Sequence, residues 1–146
     1  MTKTANAPAE IDLDTATRLR LVVMRLARRL RQQAEPDASP SMLSALAVIE
    51  RGPLTIGELA EAERVQPPTM TRVVARLEEV GLITRDADPE DKRVARVSLS
   101  NEGKKLIARN RSKKNAYLAK RLRATGTEER ELAAAVALLE SILNED

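Results

Sequence analysis

The chain has 146 residues, an apolar fraction of 42% and a formal net charge of +3 at pH 7, which fits one domain or two intertwined lobes with a buried core. It contains no cysteine and no histidine, which excludes disulfides, thiol redox sensing, Ser–His or Cys–His catalysis, and zinc sites with sulfur or nitrogen ligands. Tyr117 is the only aromatic residue, which argues against a surface that stacks nucleic-acid bases on aromatic rings.

The predicted elements start after a polar leader, residues 1–10, which we expect to be flexible. A first helix is predicted over residues 11–31. Ser39 and Pro40 form a favourable N-cap and first-turn pair for a second helix, which the Gly52-Pro53 step ends. The first helix has apolar side chains at helical spacing at Leu19, Val22, Val23, Leu26 and Leu30.

A short strand and two more helices follow. Thr55 and Glu58 have capping-box spacing at the start of the third helix. After a brief break at residues 63–66, Pro67-Pro68 pre-sets the first turn of the fourth helix, PPTMTRVVARLEEV. Gly81 suits the position just past its end. The spacing therefore predicts two consecutive helices joined by a tight turn.

The fourth helix has two distinct faces. An apolar stripe would anchor it, while hydroxyl and guanidinium groups opposite could reach phosphates and base edges in a DNA major groove. A solvated charged face is the alternative, but the preceding capped helix and the following hairpin favour DNA. The apolar stripe contains Met70, Val74, Leu77 and Val80 or Gly81, and the opposite face contains Pro68, Thr69, Arg72 and Arg76.

Two strand-like runs then flank the charged segment RDADPEDKR, residues 85–93. A hairpin beside a major-groove helix can insert an arginine into the adjacent minor groove. Asp91 lies two residues before Arg93 and could hold its guanidinium in a bidentate pair, which would aim it. The alternative is a solvated turn with a weak surface ion pair. Asp86, Asp88 and Glu90 are interpreted as solvated turn residues. In the second run, Ala95, Val97 and Leu99 share one face, and Val94, Arg96 and Ser98 the other.

Two helices complete the chain. Ser100 is the predicted N-cap of a long helix, Gly126 ends it, and Thr127 is the predicted N-cap of the last helix. The last helix has a coiled-coil-like apolar seam that suits a partner helix. The seam consists of Leu132, Val136, Leu139 and Leu143.

The long helix is strongly basic. Its positive side chains form either a solvated face, paired in part with acids on a neighbouring helix, or a surface that adds phosphate contacts. They are Lys104, Lys105, Arg109, Arg111, Lys113, Lys114, Lys120, Arg121 and Arg123.

Residues 54–103 together resemble the MarR family of winged helix-turn-helix transcriptional regulators. The matching pieces are LTIGELAEAERVQPPTMTRVVARLEEVGLITR, the wing DPEDKR with its Asp-x-Arg, and SLSNEG. The flanking helices fit as well. The implied fold is mainly α (α+β): a flexible leader (1–10), a winged helix-turn-helix DNA-binding domain (40–99), and a helical dimerisation region (11–34 and 100–146).

The resemblance also implies partners and site residues. It predicts a homodimer that binds double-stranded DNA at a pseudo-palindromic operator and acts as a repressor, and it allows a small-molecule effector. The recognition helix would contact DNA through Gln66, Pro68, Thr69, Thr71, Arg72 and Arg76. The wing would contact it through Arg93, Lys92 and Arg85, with Asp91 orienting Arg93. The dimer interface would contain Leu19, Val23, Leu132, Val136, Leu139 and Leu143.

Other function classes have less support. No acidic pair stands beside a glycine-rich phosphate loop, so we expect no enzyme, cofactor or metal site. No stretch approaches the roughly 20 apolar residues of a membrane span, which predicts a cytoplasmic, nucleoid-associated protein without a membrane partner. An architectural DNA binder with low sequence preference and a protein-interaction module remain alternatives.

Overall fold

A computed structural model describes residues 10–144, so residues 1–9 of the predicted flexible leader lie outside the described part. The order of elements agrees with the prediction, and the mainly helical winged helix-turn-helix architecture is confirmed. None of the helices within residues 10–144 combines the length and apolar character needed to cross a membrane. The elements are α1 (Leu13–Arg31), α2 (Pro40–Ile49), β1 (Leu54–Thr55), α3 (Ile56–Glu63), α4 (Pro67–Glu79), β2 (Ile83–Ala87), β3 (Ala95–Leu99), α5 (Asn101–Thr125) and α6 (Glu129–Leu143).

One apolar core holds the winged lobe together. It is built from α2, α3, α4, the sheet and the first turns of α5, and Leu46, Leu59, Val74, Leu77 and Val97 are fully buried in it. Leu106 and Ile107 of α5 are also buried in this core. The packing unit therefore continues past Leu99, the last residue of the predicted DNA-binding domain.

The sheet has three antiparallel strands in the order β1-β3-β2. Leu54 of β1 pairs with Val97 of β3, and Val97 also pairs with Arg85 of β2. Because β3 is central, its side chains contact both the helix-turn-helix and the wing.

A close backbone approach joins β2 to the start of α5. Ser100 caps α5 by accepting a hydrogen bond from Gly103 N–H (3.0 Å), and its hydroxyl donates to the Gly81 carbonyl (2.6 Å). A Cβ at Gly103 would lie only 2.1 Å from the Leu82 carbonyl oxygen. The Leu-Ser-x-x-Gly sequence at the end of the second wing strand thus requires its glycine, because a larger residue would collide with the Leu82 carbonyl.

Two predicted helix caps differ in detail. The N-cap of α6 is Glu128 rather than Thr127, and its backbone N–H donates to Glu131 Oε2 (3.2 Å). The Thr127 hydroxyl lies instead 2.6 Å from that of Thr125. At α3, Thr55 accepts from Glu58 N–H as predicted (3.1 Å). The Glu58 carboxylate, however, turns towards β3 instead of completing a capping box with Thr55.

Candidate nucleic-acid interface

Helix α4, the predicted recognition helix, is anchored by the apolar stripe that the sequence predicts. Met70, Val74 and Leu77 are buried, whereas Val80 is exposed, so the stripe ends at Leu77. Burying this stripe orients the rest of the helix towards solvent. The exposed face contains Gln66, Pro67, Pro68, Thr69, Thr71, Arg72 and Arg76.

A three-residue turn, 64–66, presents the N-terminal end of α4. Arg64 closes α3 in the left-handed conformation (φ 53°, ψ 43°), and Val65 N–H donates back to the Ala60 carbonyl (3.0 Å). Gln66 is the N-cap of α4, and its side chain makes no capping hydrogen bond. The Gln66 amide is therefore available to an external partner, next to a helix end with positive electrostatic potential.

Polar groups along α4 differ in how much of their hydrogen-bonding capacity is already used. The Thr71 hydroxyl donates to the Pro67 carbonyl (2.9 Å). Arg76 Nη1 lies 3.1 Å from Glu79 Oε2, in an exposed ion pair one turn further on. Arg72, in the middle of the exposed face, makes no ion pair within the described residues. Arg72 is thus the guanidinium of this helix with the most freedom to bind a ligand.

The wing carries a guanidinium held by a neighbouring carboxylate. Arg93 donates from Nε and Nη2 to the two Asp91 oxygens (3.0 and 3.1 Å), and its backbone N–H also donates to Asp91 (3.1 Å). These bonds hold the pKa of Asp91 below its usual value, with the guanidinium as the largest cause. The Arg93 side chain is 91% exposed. The pair therefore presents an ordered positive group at the tip.

The interpretation of Asp88 as a solvated turn residue is wrong. Asp88 is only 8% exposed, and its Oδ1 accepts hydrogen bonds from the N–H groups of Glu90 (2.8 Å) and Asp91 (3.3 Å). Its Oδ2 accepts from Arg96 Nε, which is the main reason why the pKa of Asp88 is lowered and that of Arg96 raised. Strand alternation predicts that Arg96 lies on the face opposite Ala95, Val97 and Leu99. It cannot indicate that the partner of Arg96 is an acid eight residues earlier in the chain.

The other two basic wing residues have different surroundings. Arg85 Nε donates to Glu78 Oε2 (3.0 Å), which ties β2 to the C-terminal end of α4. Lys92 is exposed next to Arg93. The structure therefore gathers Lys92 and Arg93 at the tip and places Arg85 nearer the base of the hairpin.

Basic residues in the middle of α5 are partly paired with acids, in agreement with the first of the two interpretations of this helix. Lys113 Nζ lies 2.9 Å and Arg109 Nε 3.9 Å from Glu35 Oε1, a buried carboxylate, in ion pairs without hydrogen-bond geometry. Arg111 donates to Glu50 (2.7 Å). These contacts join α5 to the segments on either side of α2, so this part of the basic surface is engaged within the protein.

The terminal helices have unpartnered apolar faces. Neither α1 nor α6 contains a buried residue, and α6 makes at most sparse contacts with the other described elements. Leu132 is half-buried, whereas Val136 (45%) and Leu139 (39%) are exposed. Several exposed apolar side chains on one helix are typical of an interaction surface.

Comparison with known proteins identifies the family. The model of the MarR family matches residues 41–95. An HTH-type transcriptional regulator of Mycobacterium leprae is 40% identical over 123 residues, which cover 83% of this chain and 86% of that protein. The chain belongs to the MarR family.

Solved structures of MarR-like fold agree over almost the whole chain. A Pseudomonas aeruginosa protein described as a transcriptional regulator is 39% identical, with a TM-score of 0.79 over 95% of this chain and 100% of its own. A MepR variant of Staphylococcus aureus, solved with a bound oligodeoxyribonucleotide, shares the fold at 22% identity (TM-score 0.65, covering 92% and 97%). The protein is thus a MarR-family helix-turn-helix transcriptional regulator.

Proposed function

We propose that this regulator binds double-stranded DNA in a sequence-specific manner, with α4 in the major groove and Arg93 in the adjacent minor groove. The observation that carries the proposal is the exposed polar face of α4 beside an exposed wing guanidinium held by Asp91. Arg72 would bind base edges or phosphates, because a guanidinium can donate two parallel hydrogen bonds. Gln66, Pro68, Thr69 and Thr71 would contact the groove around it, with Lys92, Arg85 and Arg76 at the margins.

A homodimer is the second part of the proposal. The apolar faces of α1 and α6 would be buried against a second copy, since they have little to pack against within one chain. The dimerisation region would then comprise residues 11–34 and 100–146, with the first turns of α5 shared with the DNA-binding lobe. Two recognition helices related by a two-fold axis would bind half-sites about 10 base pairs apart.

Repression is the regulatory outcome that we propose. A dimer that covers two successive major grooves and their minor grooves would exclude other proteins from the same duplex. The regulator would act in the cytoplasm, where it would be associated with the nucleoid.

A small anionic ligand is the proposed effector. A cavity of about 280 Å³ lies between the end of α1, α2 and α5, and Arg31 and Lys114 supply its positive charge. Its other lining is aliphatic or polar, from Ala34, Pro40, Leu43, Ser44, Ala47 and Asn110. Release of bound duplex by small carboxylates, lost in Arg31→Gln, would support this assignment; equal release in both proteins would contradict it.

The function is tested by duplex binding across a salt series, with a duplex selected from a random pool against unselected duplex. A sequence-specific regulator binds the selected duplex at least about 1,000-fold more tightly than random duplex. A steep salt dependence without preference would indicate an architectural protein instead. Failure to bind either duplex would favour a protein-interaction module.

A further inference from the structure

The wing is connected to the helix-turn-helix through a buried carboxylate (Asp88), a half-buried guanidinium (Arg96) and an exposed carboxylate (Glu58). Asp88 carries a formal charge although it is only 8% exposed, and buried carboxylates require partners. One of its oxygens accepts from two backbone N–H groups inside the wing, and the other accepts from Arg96. The carboxylate therefore holds both the wing loop and a side chain of the central strand.

Arg96 extends this contact to α3. Its Nη1 lies 3.6 Å from Glu58 Oε1. Glu58 is in the first turn of α3, the helix that precedes the recognition helix, and Arg96 is on β3, directly opposite Thr55 of β1. One guanidinium thus joins the wing loop to the helix-turn-helix.

The same set of contacts reaches the wing tip. Asp88 accepts from the backbone N–H of Asp91, and the Asp91 carboxylate holds Arg93. The connected residues, from α3 to the tip, are Glu58, Arg96, Asp88, Asp91 and Arg93.

We propose that Glu58, Arg96 and Asp88 are positioning residues that fix the wing on α3 and thereby set where Arg93 lies relative to α4. This inference rests on the proposed function, in which α4 and Arg93 occupy neighbouring grooves. These three residues act through Arg93 and the wing backbone rather than by contact with DNA. Two acids would thus strengthen the binding of a polyanion, the opposite of what their charge alone predicts.

A purely local role for Asp88 is the competing explanation, because its bonds to Glu90 and Asp91 would order the loop without α3. The two explanations differ at Glu58, which lies outside the wing. Asp88→Asn keeps an oxygen for the two backbone donors but loses the charge that faces Arg96. Glu58→Gln neutralises the α3 carboxylate that faces Arg96 and leaves the wing itself unchanged. Glu61→Gln, one turn further along α3, is the charge control.

The decisive measurement is a double-mutant cycle on duplex affinity, with folding checked by circular dichroism and thermal unfolding. We expect Asp88→Asn to weaken binding by roughly tenfold and Glu58→Gln by roughly threefold, because coupled neighbours contribute in this range. Glu61→Gln should not weaken it. In the Arg93→Ala background both losses should largely disappear. Equal losses in both backgrounds, or tighter binding by Asp88→Asn and Glu58→Gln, would overturn the proposal.

Amide hydrogen exchange separates this inference from the proposed function. Glu58→Gln should accelerate exchange at the wing amides of Glu90 and Asp91 in the free protein, whereas Glu61→Gln should not. If Glu58→Gln accelerates exchange but the original protein binds no duplex, the positioning of the wing by Glu58 is supported and the proposed DNA-binding function is rejected. Unchanged exchange in Glu58→Gln and Asp88→Asn would reject the positioning role itself.

Discussion

Neighbouring acids in the wing have different structural roles. Asp91 binds the Arg93 guanidinium, and Asp88 is enclosed by backbone donors and Arg96, whereas Asp86 is exposed. In the proposed complex, an acid that holds the arginine facing DNA lowers the ordering cost of that arginine, whereas an acid without a basic partner only repels phosphate. The effect of each carboxylate on binding therefore depends on its partner.

Asp91→Ala should weaken duplex binding several-fold although it removes a negative charge. Arg93→Ala should weaken it by about tenfold, the usual range for one arginine contact. The matched control is Asp86→Ala, which removes the same charge from the same hairpin and should tighten binding slightly. Fluorescence anisotropy with a fixed duplex measures all three. Tighter binding by Asp91→Ala would show that Asp91 does not aim Arg93.

Gly103 is required by a close contact rather than by its backbone conformation. Gly103→Ala should lower the free energy of unfolding by about 2 kcal/mol, because the added methyl group collides with the Leu82 carbonyl and the backbone must move. Gly57→Ala is the control, since a Cβ there meets only Thr55 Oγ1 at 3.8 Å. It should raise stability by about 0.5–1 kcal/mol through helix propensity. Equal destabilisation of the two variants in urea unfolding would contradict this assignment.

At the scale of elements, the helix-turn-helix depends on a tight turn with one unfavourable residue. Arg64 has positive φ, which costs about 1–2 kcal/mol for a residue with a side chain. The sequence indicated a break here but not its conformation, because αL is most often signalled by glycine or asparagine.

Arg64→Gly should raise the free energy of unfolding by up to about 1 kcal/mol, the gain from relieved strain minus the greater freedom of glycine in the unfolded chain. Arg64→Ala removes the same charge but keeps the strain, so it should stay within about 0.5 kcal/mol of the original protein. Thermal unfolding of both variants measures the difference. Identical stabilities for the glycine and alanine variants would mean that the turn is not strained.

At the scale of the whole molecule, the winged lobe is self-contained but the terminal helices are not. The lobe has a continuous core, whereas α1 and α6 lack a single buried residue. In the proposed dimer, the apolar seams of both helices would be buried against a second copy.

Leu139→Asp should convert the proposed dimer into monomers, because a carboxylate at the centre of the α6 seam would be buried without a partner. Ser141→Asp adds the same charge on the opposite face of α6 and should leave the dimer intact. Sedimentation velocity across a concentration series distinguishes the two states. A Leu139→Asp protein that sediments like the original would disprove the α6 interface.

The sequence by itself determined the elements and their order, because the signals are local. Ser39-Pro40, Thr55, Pro67-Pro68, Gly81, Ser100 and Gly126 begin or end helices through contacts within a few residues. The apolar stripe of α4 followed from helical spacing in the same way.

Only the tertiary structure decided which charges meet. Glu58 and Arg96 are 38 positions apart in the chain and become neighbours because β1 and β3 pair, and Glu35 meets Lys113 because α5 passes the end of α1. Such pairs are created by the folding of the chain and cannot be inferred from spacing in the sequence. For this reason the sequence alone predicted Asp88 to be a solvated acid. The assembly of the wing and the recognition helix into one surface is therefore a property of the fold.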